Sequence, residues 1–200
     1  IELVFKGNNT QEKENINVPL LLEMPAMKPD NNKTYESPEK INNLCNTLKN
    51  INIPWGLCID TAHIWSAGID LLAINSWKLW EDKLTDYAKN KIGLFHLNGS
   101  LSENYNKGKD KHIIAFSEED GIWSSYISKE IYNYINNESN ENSNIIKNIS
   151  DIELNEIKKS SLFSILNFCR KKNIDIICEI NRGSSVNMKF SLELIQYLLK

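Results

Sequence analysis

Apolar residues along the chain fall into two kinds of run that alternate. Short continuous runs at residues 18–22, 55–59, 92–95 and 174–178 have the length and bulky side chains of buried strands. Between them, apolar positions recur at helical spacing. Ile41, Leu44, Cys45 and Leu48 follow Ser37-Pro-Glu-Lys40, which supplies an N-cap and a first-turn proline. Trp77, Trp80, Leu84 and Tyr87 predict a helix over 76–89, and Leu162, Ile165 and Phe168 face inward from a long helix over 152–172. Further helices are expected over 124–135 and 190–199, while Thr61, Ala62 and Ser66 read as a loop leading into a helix. Strand, loop and helix thus follow one another four times, which implies an α/β chain with parallel strands and right-handed crossovers.

Each predicted strand ends on a side chain able to hold a metal: Glu23, Asp60, His96 and Glu179. In a parallel barrel the C-terminal strand ends share one mouth, where active sites lie. Alone, Asp60-Thr-Ala-His63 reads first as a helix cap with a neighbouring histidine. A carboxylate ending a buried strand nevertheless needs a positive partner, and four such residues at equivalent positions are hard to ascribe to chance. The three histidines of the chain, His63, His96 and His112, all fall in or beside that mouth. Asp110 and His112 are two apart, so an extended loop turns both side chains the same way. By itself the charged loop from Lys107 to His112 is a solvated loop; with His63 it completes a ligand set. Carboxylates and imidazoles together suit zinc, with manganese or iron as alternatives, and bridging carboxylates are typical of ion clusters that hydrolyse phosphate esters.

Composition narrows the class. At 200 residues, 41% hydrophobic and 24% charged, the chain suits one globular domain, expected as a monomer, with Asn, Ser and Glu over 136–150 marking a flexible insertion. No stretch is apolar enough to span a membrane, and no secretory segment is evident. Cys45, Cys58, Cys169 and Cys178 lack C-x-x-C spacing and sit in apolar runs, so they are expected as reduced core residues of an intracellular protein. The net charge of −3 argues against a general polyanion-binding surface, although ions bound in one place would not enter that sum. Abundant Asn, Ile and Lys suggest an AT-rich genome, such as that of a large DNA virus or a protist.

Leu22-Glu23-Met-Pro-Ala26, Leu57-Cys-Ile-Asp60-Thr-Ala-His63, Phe95-His96-Leu-Asn-Gly-Ser100, Asp110-Lys-His112 and Cys178-Glu179 lie in an order and approximate spacing that resembles endonuclease IV, the metal-dependent apurinic/apyrimidinic (AP) endonuclease family of base-excision repair. The resemblance runs from Val18 onward and implies a (β/α)8 TIM barrel, of which this chain would carry the C-terminal half, about four βα units. It implies hydrolysis of the DNA phosphodiester 5′ to an abasic site, with three Zn2+ ions in the complete protein, or Mn2+ in their place. Glu23 would bridge the first and second ions, and Glu23 and Glu179 would take catalytic roles. Asp60, His96 and Glu179 would hold the second ion, and His63, Asp110 and His112 the third.

Several positions depart from the family pattern. No histidine precedes His63, whereas the family's first ion takes two from earlier strands, so a longer protein is expected. Gly99 stands where the family usually has Asp, and the usual Gly-Glu-Gly turn is replaced by Phe116-Ser-Glu-Glu-Asp-Gly121. Lys28, Lys33, Lys107, Lys109, Lys111 and Arg182 lie on expected mouth loops and are candidates for phosphate contacts, and Tyr105 or Trp65 for a wedge beside an extruded abasic sugar. Two other readings compete. Sugar isomerase or epimerase barrels place similar ligands around one divalent ion, and a degenerate barrel could bind DNA without cleaving it.

Overall fold

A computed structural model describes residues 19–27, 35–137, 146, 149–179 and 185–200. Among these, four parallel strands form one open sheet in sequence order: β1 (Leu20–Glu23), β2 (Trp55–Asp60), β3 (Ile92–His96) and β4 (Asp175–Ile177). Every residue of β2 is buried, as expected of a strand paired on both edges and covered on both faces. The register sets Glu23 beside Cys58, Asp60 beside His96, and His96 beside Ile177, so the C-terminal ends of the strands lie together. The parallel α/β architecture agrees with the sequence pattern. Closure into a barrel is not seen among the described residues.

Helices follow the strands: α1 (Pro38–Thr47), α2 (Thr61–Ser66), α3 (Ser76–Glu81), α4 (Asp86–Lys91), α5 (Lys129–Asn137), α6 (Asp151–Lys159), α7 (Ser161–Lys172) and α8 (Ser185–Leu198). In α1 the Ser37 side chain accepts from the Lys40 amide and Pro38 takes the first helical position, as the sequence predicts. The helix expected over 76–89 is two pieces. Asn42 donates to the Lys83 carbonyl and accepts from the Thr85 amide, and Thr85 then caps α4. Backbone groups that a continuous helix would use are satisfied from α1 instead. The helix expected over 152–172 is likewise broken at Ser160, an extended residue that ends α6 and whose hydroxyl caps α7 at Phe163. Residues 124–126 form a short 3-10 turn ahead of α5, and α5 itself continues through residues 136 and 137, the start of the expected insertion. Most of the rest of that insertion lies outside the described residues.

The tryptophan stripe is core. Trp77 packs with ring centroids 5.2 Å from Trp80, 5.4 Å from Phe95 and 5.6 Å from Phe168, so α3, β3 and α7 meet in one aromatic cluster. Cys45, Cys58 and Cys169 are buried free thiols and Cys178 is half-buried, in keeping with reduced cysteines. No helix of the described residues is long and apolar enough to cross a membrane.

Candidate metal centre

The site is built where the four strands end. Asp60, the last residue of β2, has no solvent exposure, and α2 begins at once after it where the sequence suggested a loop. The reason is the carboxylate. Its Oδ1 accepts from the amides of Ala62 at 2.7 Å and His63 at 3.2 Å, capping α2 and turning the chain directly into helix. The cap and the ligand readings of Asp60 are therefore compatible, because the cap uses one oxygen and leaves Oδ2 for the mouth.

Asn98, 1% exposed, fixes that second oxygen. Its Nδ2 donates to Asp60 Oδ2 at 2.7 Å while its Oδ1 accepts the Glu179 amide at 2.8 Å. Its backbone is clipped to Thr61, whose hydroxyl accepts the Asn98 amide and donates to the Asn98 carbonyl. One side chain thus ties together the ends of β2, β3 and β4. In the sequence Asn98 is one polar residue within Phe95-His96-Leu-Asn-Gly-Ser100, with no local signal for this role.

Among the described residues two ligand groups include Asp60, and a third, Glu23, Cys58 and His96, carries a thiol that burial pushes up to about 12. Glu23, Asp60, His96 and Glu179 can each bring a ligand atom within 4.8 Å of the others, as can Asp60, His63 and His112, so Asp60 belongs to both. His96 Nδ1 lies 2.9 Å from Glu23 Oε1, 3.3 Å from Glu179 Oε2 and 3.7 Å from Asp60 Oδ2. The Asp60 carboxylate, aided by Glu23 and Glu179, lifts the imidazole to about 9 against the opposing effect of burial. Burial alone would raise Asp60, but contacts with His96, His63 and His112 outweigh it and hold the acid below its usual range. Three carboxylates around one imidazole nitrogen form a site in want of positive charge.

The second group tests more sharply whether an ion fits. His63 Nδ1 is 2.6 Å from the Met24 carbonyl, which can only accept, so the proton sits on Nδ1 and a neutral ring has its lone pair on Nε2. That lone pair faces Asp110 Oδ1 at 3.2 Å and His112 Nε2 at 3.1 Å, and His112 Nε2 is 3.0 Å from the same Asp110 oxygen. Three lone-pair atoms so arranged repel one another unless a proton or a cation lies among them. Tetrahedral ligands at about 2.0–2.1 Å from zinc stand about 3.3 Å apart, close to the edges of this triangle. The carbonyl holding Nδ1 is the familiar outer partner of a metal-bound histidine. Asp110 is 67% exposed, so the triangle opens to solvent on one side.

All seven residues singled out from the sequence, Glu23, Asp60, His63, His96, Asp110, His112 and Glu179, meet at this mouth. Other candidates fare differently. Lys107, Lys109 and Lys111 are exposed, on the loop that carries Asp110. Lys28, Lys33 and Arg182 lie outside the described residues. Trp65 is 4% exposed, with its Nε1 bonded to the Leu101 carbonyl, so it is a core residue and no wedge. Tyr105 is exposed but packs tilted against Trp65, with ring centroids 4.7 Å apart, and donates to the Gly68 carbonyl, which ties down its ring and its hydroxyl. The Met24 carbonyl, a backbone group, left no signal in the sequence.

Comparison with known proteins adds to this geometry. The chain is 30% identical over 178 residues to a "Probable AP endonuclease" of African swine fever virus, covering 86% of this chain and 49% of the viral protein. It superimposes on the crystal structure of AsfvAP:AG with a TM-score of 0.65 at 28% identity, over 91% of this chain and 53% of that one. These matches support an endonuclease IV-like family. A "Probable endonuclease 4" of Mycoplasma mobile is 35% identical over 89 residues, or 44% of this chain and 30% of its own length. No protein-family model matches the chain. It spans about half the length of the viral relatives it matches.

Proposed function

We propose that this chain supplies most of the metal site of an AP endonuclease, which hydrolyses the DNA phosphodiester 5′ to an abasic site in base-excision repair. The observation that carries the reading is the pair of ligand groups joined at Asp60 Oδ2: that oxygen is 3.7 Å from His96 Nδ1 and 3.5 Å from His112 Nε2. Glu23, Asp60, His96 and Glu179 would hold one ion, and His63, Asp110 and His112 another. Glu23, half-open at the edge of the group, would share a third ion with ligands other than this chain's three histidines. Zinc fits the mixed oxygen and nitrogen donors, with manganese as the alternative. Bound there, divalent ions supply Lewis-acid charge for the phosphate and lower the pKa of an attacking water.

The chain's own residues have separable tasks. Glu23 and Glu179, the most exposed acids of the first group, face the space where a phosphate would sit. His63 is locked by the Met24 carbonyl and Asp60 by Asn98, so neither reorganises when charge develops on the substrate. Lys107, Lys109 and Lys111 border the mouth and contribute electrostatic contacts to the backbone of duplex DNA. In this reading residues 1–200 form part of one barrel domain, monomeric and intracellular.

An isomerase-like site around one divalent ion has no use for the separate His63, Asp110 and His112 set, and a decayed remnant has no reason to keep these side chains in ligand geometry. The deciding assay uses the full-length protein on a duplex with one abasic-site analogue, with and without chelator, alongside elemental analysis. Chelator-sensitive cutting 5′ to the lesion with about three zinc ions per chain supports the proposal. No cutting, with at most one ion bound, refutes it.

A further inference from the structure

The loop bearing Asp110 and His112 is held at both ends by backbone bonds. At its start the amides of Asn106 and Gly108 donate to the Trp65 and Ser66 carbonyls. At its end Ile113 pairs with Gly99 in a two-bond bridge, at 2.9 Å and 3.1 Å, and the Ser100 hydroxyl donates to the Lys111 carbonyl at 3.0 Å. Two bonded residues, Lys111 and Ile113, therefore flank His112. The position of both ligands relative to His63 depends on where residues 99 and 100 lie.

Residues 99 and 100 rest in turn on Asp120. This carboxylate has no solvent exposure. Its Oδ1 accepts from the amides of Ile122 at 2.9 Å and Ser100 at 3.3 Å, and its Oδ2 from the amide of Phe116 at 2.9 Å. Burial pushes the acid up to about 7, against the pull of the amides of Ile122, Phe116, Ser100 and Trp123. Phe116 sits at φ 64°, a left-handed conformation that costs a bulky residue energy and needs an outside partner to hold it. The surroundings have been cleared for this carboxylate. A Cβ at Gly99 would lie 2.7 Å from Asp120 Cγ and Oδ1, so no side chain fits there, and a Cβ at Gly121 would lie 2.2 Å from the Ser102 amide nitrogen. The Gly121 amide completes the join by donating to the Ser100 carbonyl at 2.7 Å.

We propose that Asp120 is a positioning residue for the metal site: its buried carboxylate locks residues 99 and 100 against residues 116–122, and through the Ser100–Lys111 and Gly99–Ile113 bonds it sets Asp110 and His112 opposite His63. This rests on the reading of those three residues as an ion-binding set. Packing of Ile114, Ala115 and Phe116 keeps the loop against the core, but apolar contact is non-directional, whereas amide-to-carboxylate bonds fix distance and angle.

The test compares the full-length protein with Asp120→Ala, Asp120→Asn and Ser100→Ala, measuring zinc affinity by chelator competition, zinc per chain, and kcat and KM on an abasic duplex. Asp120→Ala and Ser100→Ala are expected to weaken one zinc about 10–100-fold, the range for removing an outer support, with the fall in kcat and little change in KM. Asp120→Asn, which keeps one acceptor oxygen, falls between Asp120→Ala and the parent. If Asp120→Ala does not fold, Ser100→Ala decides, since it leaves Asp120 in place and cuts the link to Lys111, with Asn104→Ala as the control for the 3.2 Å bond that the same hydroxyl accepts from Asn104 Nδ2. Folded variants with parental zinc affinity, stoichiometry and kcat overturn the Asp120 assignment alone. A parent protein that binds no zinc overturns the ion-binding reading and this proposal with it.

Discussion

Asn98→Ala is the sharpest test of how the mouth is held. The side chain is 1% exposed and makes two short bonds, Nδ2 to Asp60 Oδ2 at 2.7 Å and Oδ1 from the Glu179 amide at 2.8 Å. The first ends on a fully buried carboxylate and is worth about 1.5–3 kcal/mol; the second is neutral and worth about 0.5–1.5 kcal/mol. Removing both therefore costs about 2–4.5 kcal/mol, because Thr61 keeps its hold on the Asn98 backbone and limits the damage to the side-chain bonds. Urea unfolding in excess chelator reads that loss without any contribution from bound ions. Zinc competition on the loaded protein reads the second consequence: Asp60 and Glu179 are no longer oriented, and affinity falls about 10–100-fold. A variant within about 0.5 kcal/mol of the parent in stability, and with unchanged zinc affinity, would show that Asn98 is not the clip described.

Other substitutions separate the two ligand groups. Glu23→Ala is expected to lower bound metal and abolish incision together, since Glu23 is the acid proposed to touch two ions; an active variant with undiminished metal sinks that assignment. His112→Ala should empty mainly the site shared with His63 and Asp110, and full activity there would reduce the loop to a surface feature. Replacing Lys107, Lys109 and Lys111 by serine should flatten the salt dependence of DNA binding by about 0.9 in log–log slope for each lysine that meets a phosphate. A slope equal to the parent's would remove all three from the interface.

Much of this site could be read from the chain. Glu23, Asp60, His96 and Glu179 were legible because a strand's end is marked by where its apolar run stops, and parallel strands must finish at a common edge. His63, Asp110 and His112 followed from local spacing. The helix break at Ser160 rests on that serine's own hydroxyl, a local cap within a continuous apolar periodicity, whereas the break after Glu81 was not legible, because the groups that satisfy the backbone there include Asn42, about forty residues away. The same holds for Trp65: its sequence neighbours say only that it adjoins the mouth, and its burial depends on Tyr105 and Leu101 packing over it.

The sequence by itself determined the order of strands and helices and the chemical kind of each side chain brought to the strand ends, since both follow from local periodicity and residue type. Tertiary structure decided how those side chains are held. The Met24 carbonyl fixes the His63 tautomer, Asn98 spans three strand ends, and Asp120 occupies the space left by Gly99. Each of these contacts joins residues distant in the chain, and its strength comes from burial that exists only once the sheet has assembled and water has been excluded.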